Sequence, residues 1–152
     1  MKKLTKTMSS SLLALFLGSS FTACWGQQDD NNLYFTVYNE LVGSNPTLQV
    51  DINPSCTVNI TQMTGENPIP PSTTNFSFTT WLITGYSAGC TITFVTTPNN
   101  SSDSCNFKFT GIQSSYENNF TCSSDLKGQA ESQEPSQGPG VVIEIGTNVN
   151  RK

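Results

Sequence analysis

Five cysteines and eleven carboxylates are the side chains of this 152-residue sequence best suited to chemistry, because it contains no histidine. Without imidazole there is neither a Ser-His-Asp nor a Cys-His nucleophile, and the commonest transition-metal ligand is missing. Paired carboxylates remain as the one catalytic option. The candidates Asp51, Asp103, Glu117 and Asp125 fall in no recognisable pattern. Asp51 lies on the polar parity of its segment and Asp103 lies in a turn, so both read as solvated. The stretch NNSSDS (99–104) offers oxygen ligands but lacks the spacing of a helix–loop–helix calcium site. Cys56, Cys90, Cys105 and Cys122 are separated by 34, 15 and 17 residues with no C-x-x-C pair, which argues against zinc. No glycine-rich loop cradles a phosphate. The expectation is a protein that is not an enzyme, with no metal and no cofactor.

The fifth cysteine, Cys24, belongs to a different segment. The sequence opens with Lys2, Lys3 and Lys6, followed by an apolar run from Leu12 to Leu17 and then small residues. That run is too short for a membrane span, which takes about 20 apolar residues. A basic start, a short apolar centre and a small-residue end make a secretory signal peptide. Its final residues Phe21-Thr22-Ala23-Cys24 resemble the lipobox of bacterial lipoproteins, with phenylalanine where leucine is usual. The resemblance covers the leader alone. It implies cleavage after residue 23, a diacylglycerol on the Cys24 sulfur and acylation of the new amino group, so that the first partner is a lipid bilayer. Parity agrees, since an odd cysteine in an exported protein needs its own explanation. The plainer reading is that Cys24 is cut away with the leader.

Beyond Cys24 only Lys108, Lys127, Arg151 and Lys152 oppose eleven acids, a net charge of −7. Nucleic-acid binding depends on clustered cations and is excluded, and no polybasic patch follows the leader. Five Asn-x-Ser/Thr sequons, at Asn59, Asn75, Asn99, Asn100 and Asn119, are no more than so much serine and threonine would give, and bacterial export would leave them bare.

The segments that must position these residues alternate apolar and polar side chains and are rich in β-branched and aromatic types. Leu33, Phe35 and Val37 share one parity, as do Leu48, Val50 and Ile52. CTVNI, FSFTTWLI, CTITFV, CNFKFTGI and NNFTC follow, separated by GSNP (43–46), DINPS (51–55), GENPIPPS (65–72) and TTPNNSSD (96–103). Period two over such lengths marks half-buried strands. The expected fold is all-β, a small antiparallel β-sandwich. Its expected organisation is a signal peptide at 1–23, a polar tether at 24–32, the sandwich at 33–127, a low-complexity linker at 128–140, and a C-terminal strand and tail at 141–152. Val141, Ile143 and Ile145 align in that last strand, which either closes its own sheet or pairs with a partner's exposed edge.

Parity also aims the sulfurs. Cys56 aligns with Val58 and Ile60, Cys90 with Ile92 and Phe94, Cys105 with Phe107 and Phe109, and Cys122 with Phe120. All four are therefore expected to point inward as disulfides, as an oxidising compartment favours. Four cysteines allow three pairings. Cys105 with Cys122 and Cys56 with Cys90 is preferred, because the first closes a short hairpin-like loop. The rival nests Cys90–Cys105 inside Cys56–Cys122. An immunoglobulin-like bridge between sheets, packed on Trp81, is conceivable, but Phe120 stands where those domains carry a tyrosine.

Aromatics on the other parity are the candidate binding surface. Tyr34 and Tyr38 oppose Leu33, Phe35 and Val37; Trp81 opposes Phe78 and Leu82; Tyr86 follows in a loop. Such platforms suit protein or sugar recognition, although Trp81 fits better a face buried against the second sheet or the C-terminal strand, and Tyr34 and Tyr38 fit either. The expected function is an exported, lipid-anchored, non-catalytic interaction or structural module of the bacterial cell envelope. It would sit at the outer membrane or in the periplasm and bind an envelope protein, as part of a secretion or surface complex. The alternative is a soluble, secreted, adhesin-like domain that binds a glycan.

Overall fold

The computed structural model describes residues 32–42, 46–71, 77–87, 89–133 and 139–147. The leader, Cys24 and the tether as far as residue 31 lie outside the described residues, while Asn32, the last residue of the expected tether, already belongs to the first strand. The described chain forms nine strands, β1 (Asn32–Glu40), β2 (Leu48–Pro54), β3 (Asn59–Thr64), β4 (Ser77–Thr84), β5 (Ile92–Pro98), β6 (Cys105–Phe109), β7 (Phe120–Cys122), β8 (Lys127–Gln133) and β9 (Gly140–Gly146). A single 3-10 turn, Glu117–Asn119, precedes β7. One sheet has the order β3-β4-β1-β9-β8 and the other β2-β5-β6-β7. All pairs are antiparallel except β1 with β9, which run parallel, Phe35 opposite Val141.

The alternation in β1 does what its pattern dictates. Leu33, Phe35 and Val37 are buried while Tyr34, Thr36 and Tyr38 are half-buried on the other side. β5 and β6 turn Ile92, Phe94, Phe107 and Phe109 toward them. Phe35 joins the two sheets: its ring centroid lies 4.7 Å from Phe94 and 4.9 Å from Phe109, the latter edge-on. Phe107 continues the cluster to Phe120 at 4.7 Å and Tyr116 at 5.6 Å. Such offset and edge-to-face pairs contribute about 0.5–1.5 kcal/mol each beyond the area they bury.

Both disulfides take the preferred pairing. Cys105–Cys122 crosses from β6 to β7 at directly opposed register positions. Cys56–Cys90 ties the β2–β3 connection to the chain entering β5. Cys90 and Cys105 are buried, and Cys56 and Cys122 are half-buried against the core. Among the described residues no bridge joins the sheets across Trp81, so their sulfur pattern is not that of an immunoglobulin domain. The two disulfides are consistent with an exported protein of an oxidising compartment.

Three local expectations change. The sandwich does not end at residue 127: β8 occupies Lys127–Gln133, within the expected linker, and β9 closes the same sheet. Residues 134–138 lie outside the described residues. Cys56 and Val58 sit in a connection rather than a strand, and Ile60, which shares their parity, is exposed on the edge strand β3. In β4 the buried parity is Thr79, Trp81 and Ile83, which leaves Phe78 and Leu82 on the other face.

The edges are handled by local chemistry. Asn67 mimics a strand residue beside β2, its Nδ2 donating to Val50 O at 2.7 Å and its Oδ1 accepting from Val50 N at 3.0 Å. Ile69 then bridges to Leu48, so the β2 edge is covered. β3 is interrupted by a bulge between Gln62 and Thr64, a device that twists an edge away from further pairing. After it, Gly65 has φ +81° and its α-carbon lies so close to Phe78 O and Thr79 that a Cβ would collide. The buried Asn39 Nδ2 donates to Pro46 O, Ile69 O and Pro70 O at 3.0–3.1 Å, and its Oδ1 accepts from Leu41 N at 3.0 Å. This one side chain satisfies the polar backbone where three segments meet, as burial requires.

Candidate binding surfaces

The outward face of the five-stranded sheet gathers two of the four expected aromatics. β1 pairs Tyr34 with Leu82 and Tyr38 with Phe78. The Tyr38 and Phe78 rings lie 5.2 Å apart, and Phe78 is 43% exposed. Between the two tyrosines, about 13 Å apart along a strand, the Thr36 and Thr80 hydroxyls bond at 2.9 Å. On the other flank β9 places Val142 beside Thr36 and Glu144 beside Tyr38. Glu144 is only 2% exposed, and its Oε2 accepts a hydrogen bond from Gln129 Nε2. The accessible part of the face is thus its β1–β4 side, an aromatic strip of Tyr34, Tyr38 and Phe78, while Val142 and Glu144 on the β9 side are buried.

Trp81 and Tyr86 do not belong to it, which corrects their placement on a binding surface. Trp81 is 4% exposed and joins the core. Tyr86 is buried with its ring 5.5 Å from Phe109. Its hydroxyl has no hydrogen-bond partner among the described residues, and burial, with a smaller contribution from Tyr116, pushes its pKa up. This separation is testable by denaturant unfolding. Trp81→Ala is expected to cost about 3–5 kcal/mol. Tyr34→Ala with Tyr38→Ala, on half-buried positions of the outward face, is expected to cost less, since cross-strand pairs contribute about 0.2–1 kcal/mol apiece.

The carboxylates singled out from sequence are not brought together. Asp51 is exposed on β2, Glu117 and Asp125 are exposed at opposite ends of β7, and Asp103 accepts from Ser124 Oγ at 2.7 Å. Among the described residues no group of three or more cysteines and carboxylates is placed to hold a metal ion.

Sequence reasoning missed a concavity elsewhere on the domain. A cavity of about 530 Å³ lies between residues 113–117 and the open edge of β8, residues 128–132. Its walls are pinned together. Tyr116 OH and Ser132 Oγ lie 2.9 Å apart, Gln113 N donates to Tyr116 OH at 3.1 Å, and Ser132 Oγ donates to Gln113 O at 3.2 Å. Gly128 lets the two layers approach here, since a Cβ would strike the Phe120 ring. Only the fold joins these segments, and their Ser, Gln and Glu content was the one signal in the sequence. No family model matches the chain, and no curated protein matches it either.

Proposed function

We propose that this chain is an exported, lipid-anchored, non-catalytic interaction module of a bacterial cell envelope, held at the outer membrane or in the periplasm as part of a surface or secretion complex. The observation that carries this reading is the sulfur pairing. Cys56–Cys90 and Cys105–Cys122 account for every domain cysteine and leave Cys24 as the odd thiol of the sequence, at the place where the lipobox-like Phe21-Thr22-Ala23 ends. An acyl chain contributes about 0.8 kcal/mol per buried methylene, so two or more chains anchor stably where one binds only marginally. Residues 24–31 would then be a tether of at most about 28 Å when fully extended. β1 starts at Asn32 and carries Tyr34 and Tyr38, so the aromatic face would work close to the bilayer, against an envelope protein.

Cys24→Ser tests the anchor. The variant is expected to leave the membrane pellet and to lose incorporation of labelled fatty acid, while the disulfide-bonded domain keeps its circular dichroism and unfolding midpoint. A variant that stays in the membrane fraction with its label intact would refute the anchor. Equal solubility of the wild type would favour the second reading, a soluble secreted glycan-binding domain, for which the paired Tyr34 and Tyr38 speak.

A further inference from the structure

The geometry points to the cavity beside β8 as a saccharide-binding cleft that takes a short, non-anionic oligosaccharide. This rests on the reading of the chain as a binding module and supplies one chemical class of ligand for it. The volume of about 530 Å³ falls within the range of small-molecule sites, roughly 300–1,000 Å³. Drug-like sites are mostly apolar, whereas this lining is mixed and more polar than apolar, with Tyr116 and Ala130 set among polar side chains. Gln113 and Gln129 bring carboxamides, Ser115 and Ser132 hydroxyls, and Glu117 and Glu131 carboxylates. Carboxamides and hydroxyls both donate and accept, and carboxylates accept strongly. That mixture matches a ligand whose hydroxyls also do both.

Charge narrows the class. Among the described residues no lysine or arginine lines the cleft, so phosphate, sulfate or uronate groups would meet acidic side chains and no lining cation. A neutral sugar, or one carrying an amine, meets no such penalty. The site is also preformed. The hydrogen bonds among Tyr116, Ser132 and Gln113 hold loop against strand, and Gln129 is steadied by its donation to the buried Glu144. Fixed walls reduce the ordering cost of binding.

The probes are oligomers of β-1,4-linked glucose and N-acetylglucosamine, the de-N-acetylated form of the latter, and oligogalacturonate. They are titrated calorimetrically into the full-length oxidised protein and followed by amide chemical shifts. At least one neutral or amino oligomer is expected to bind, with shifts confined to residues 113–117 and 128–132, and oligogalacturonate is expected to stay silent. Tighter binding of the de-N-acetylated form would assign an ammonium to the carboxylates; equal or tighter binding of the acetylated form would assign neutral hydroxyl recognition. Gln113→Ala should weaken binding by about tenfold, with the unfolding midpoint unchanged. Ser114→Trp, a bulky block on the rim, should abolish it. Tyr34→Ala with Tyr38→Ala should leave it intact. Silence of every neutral and amino oligomer would overturn the cleft. So would binding lost with the two tyrosines yet indifferent to the cleft variants, or tight binding of oligogalacturonate. The anchored-module reading survives those failures, because it depends on Cys24 fractionation.

Discussion

A variant in which Cys56, Cys90, Cys105 and Cys122 are all replaced by serine is expected to lose its cooperative unfolding transition at 37 °C. The 17-residue separation of Cys105 and Cys122 corresponds to about 3 kcal/mol of loop-closure entropy removed from the unfolded chain. The 34 residues between Cys56 and Cys90 correspond to about 4 kcal/mol. Together these approach the whole stability of a typical domain, about 5–15 kcal/mol. The second disulfide matters structurally as well as entropically. It holds the chain leading into β3, a strand with all six residues exposed and little apolar burial of its own. Removing that pair alone should detach β3 first, visible as fast amide exchange at Asn59–Thr64. An unchanged midpoint in the four-serine variant would mean that the aromatic cluster around Phe35 holds the sandwich without sulfur.

Ending the chain at Pro139 is expected to abolish folding outright. β9 is the most deeply packed strand, with all seven residues buried, and it lies between β1 and β8. Its loss removes Val141, Ile143 and Ile145 from the core, each worth about 1.5–3 kcal/mol of apolar burial. It also strips β8 of its ladder partner and exposes one side of β1, an invitation to edge-to-edge aggregation. The truncated chain should show neither a cooperative melt nor dispersed amide resonances. A peptide covering residues 139–147, added during refolding, should restore both. A truncated chain that melts cooperatively by itself would place β9 outside the folding unit.

The physical reason for what the sequence shows and hides lies in where each side chain finds its partner. β1 is legible because Leu33, Phe35 and Val37 alternate strictly with polar or amphipathic neighbours, so one parity must be the core. The sulfur pairing is legible because Cys105 and Cys122 flank a loop short enough to be a hairpin. β4 misleads because both of its parities are apolar, Phe78 and Leu82 on one side against Trp81 and Ile83 on the other, so periodicity cannot choose a face. β8 is hidden for the opposite reason. Its inward positions are Gly128, Ala130 and Ser132, small because Phe120 and Tyr116 fill that space from the other layer. Its sequence KGQAESQ therefore carries no hydrophobic alternation. The parallel match of β1 to β9 joins the two ends of the domain, and no local pattern encodes it.

The cleft and the aromatic face differ in the same way. Tyr34 and Tyr38 share a strand, and their spacing alone puts them on one side. The cleft unites two polar segments that meet only because β7 turns the chain back toward β8.

The most direct test of the central claim is the intact mass of the protein purified in detergent from its native membrane without reductant. The expected result is a chain beginning at Cys24, heavier by its acyl chains and lighter by the four hydrogens lost in forming two disulfides, with no thiol open to alkylation. A chain beginning at Trp25 or later, an unacylated Cys24, or alkylation of any domain cysteine would contradict it.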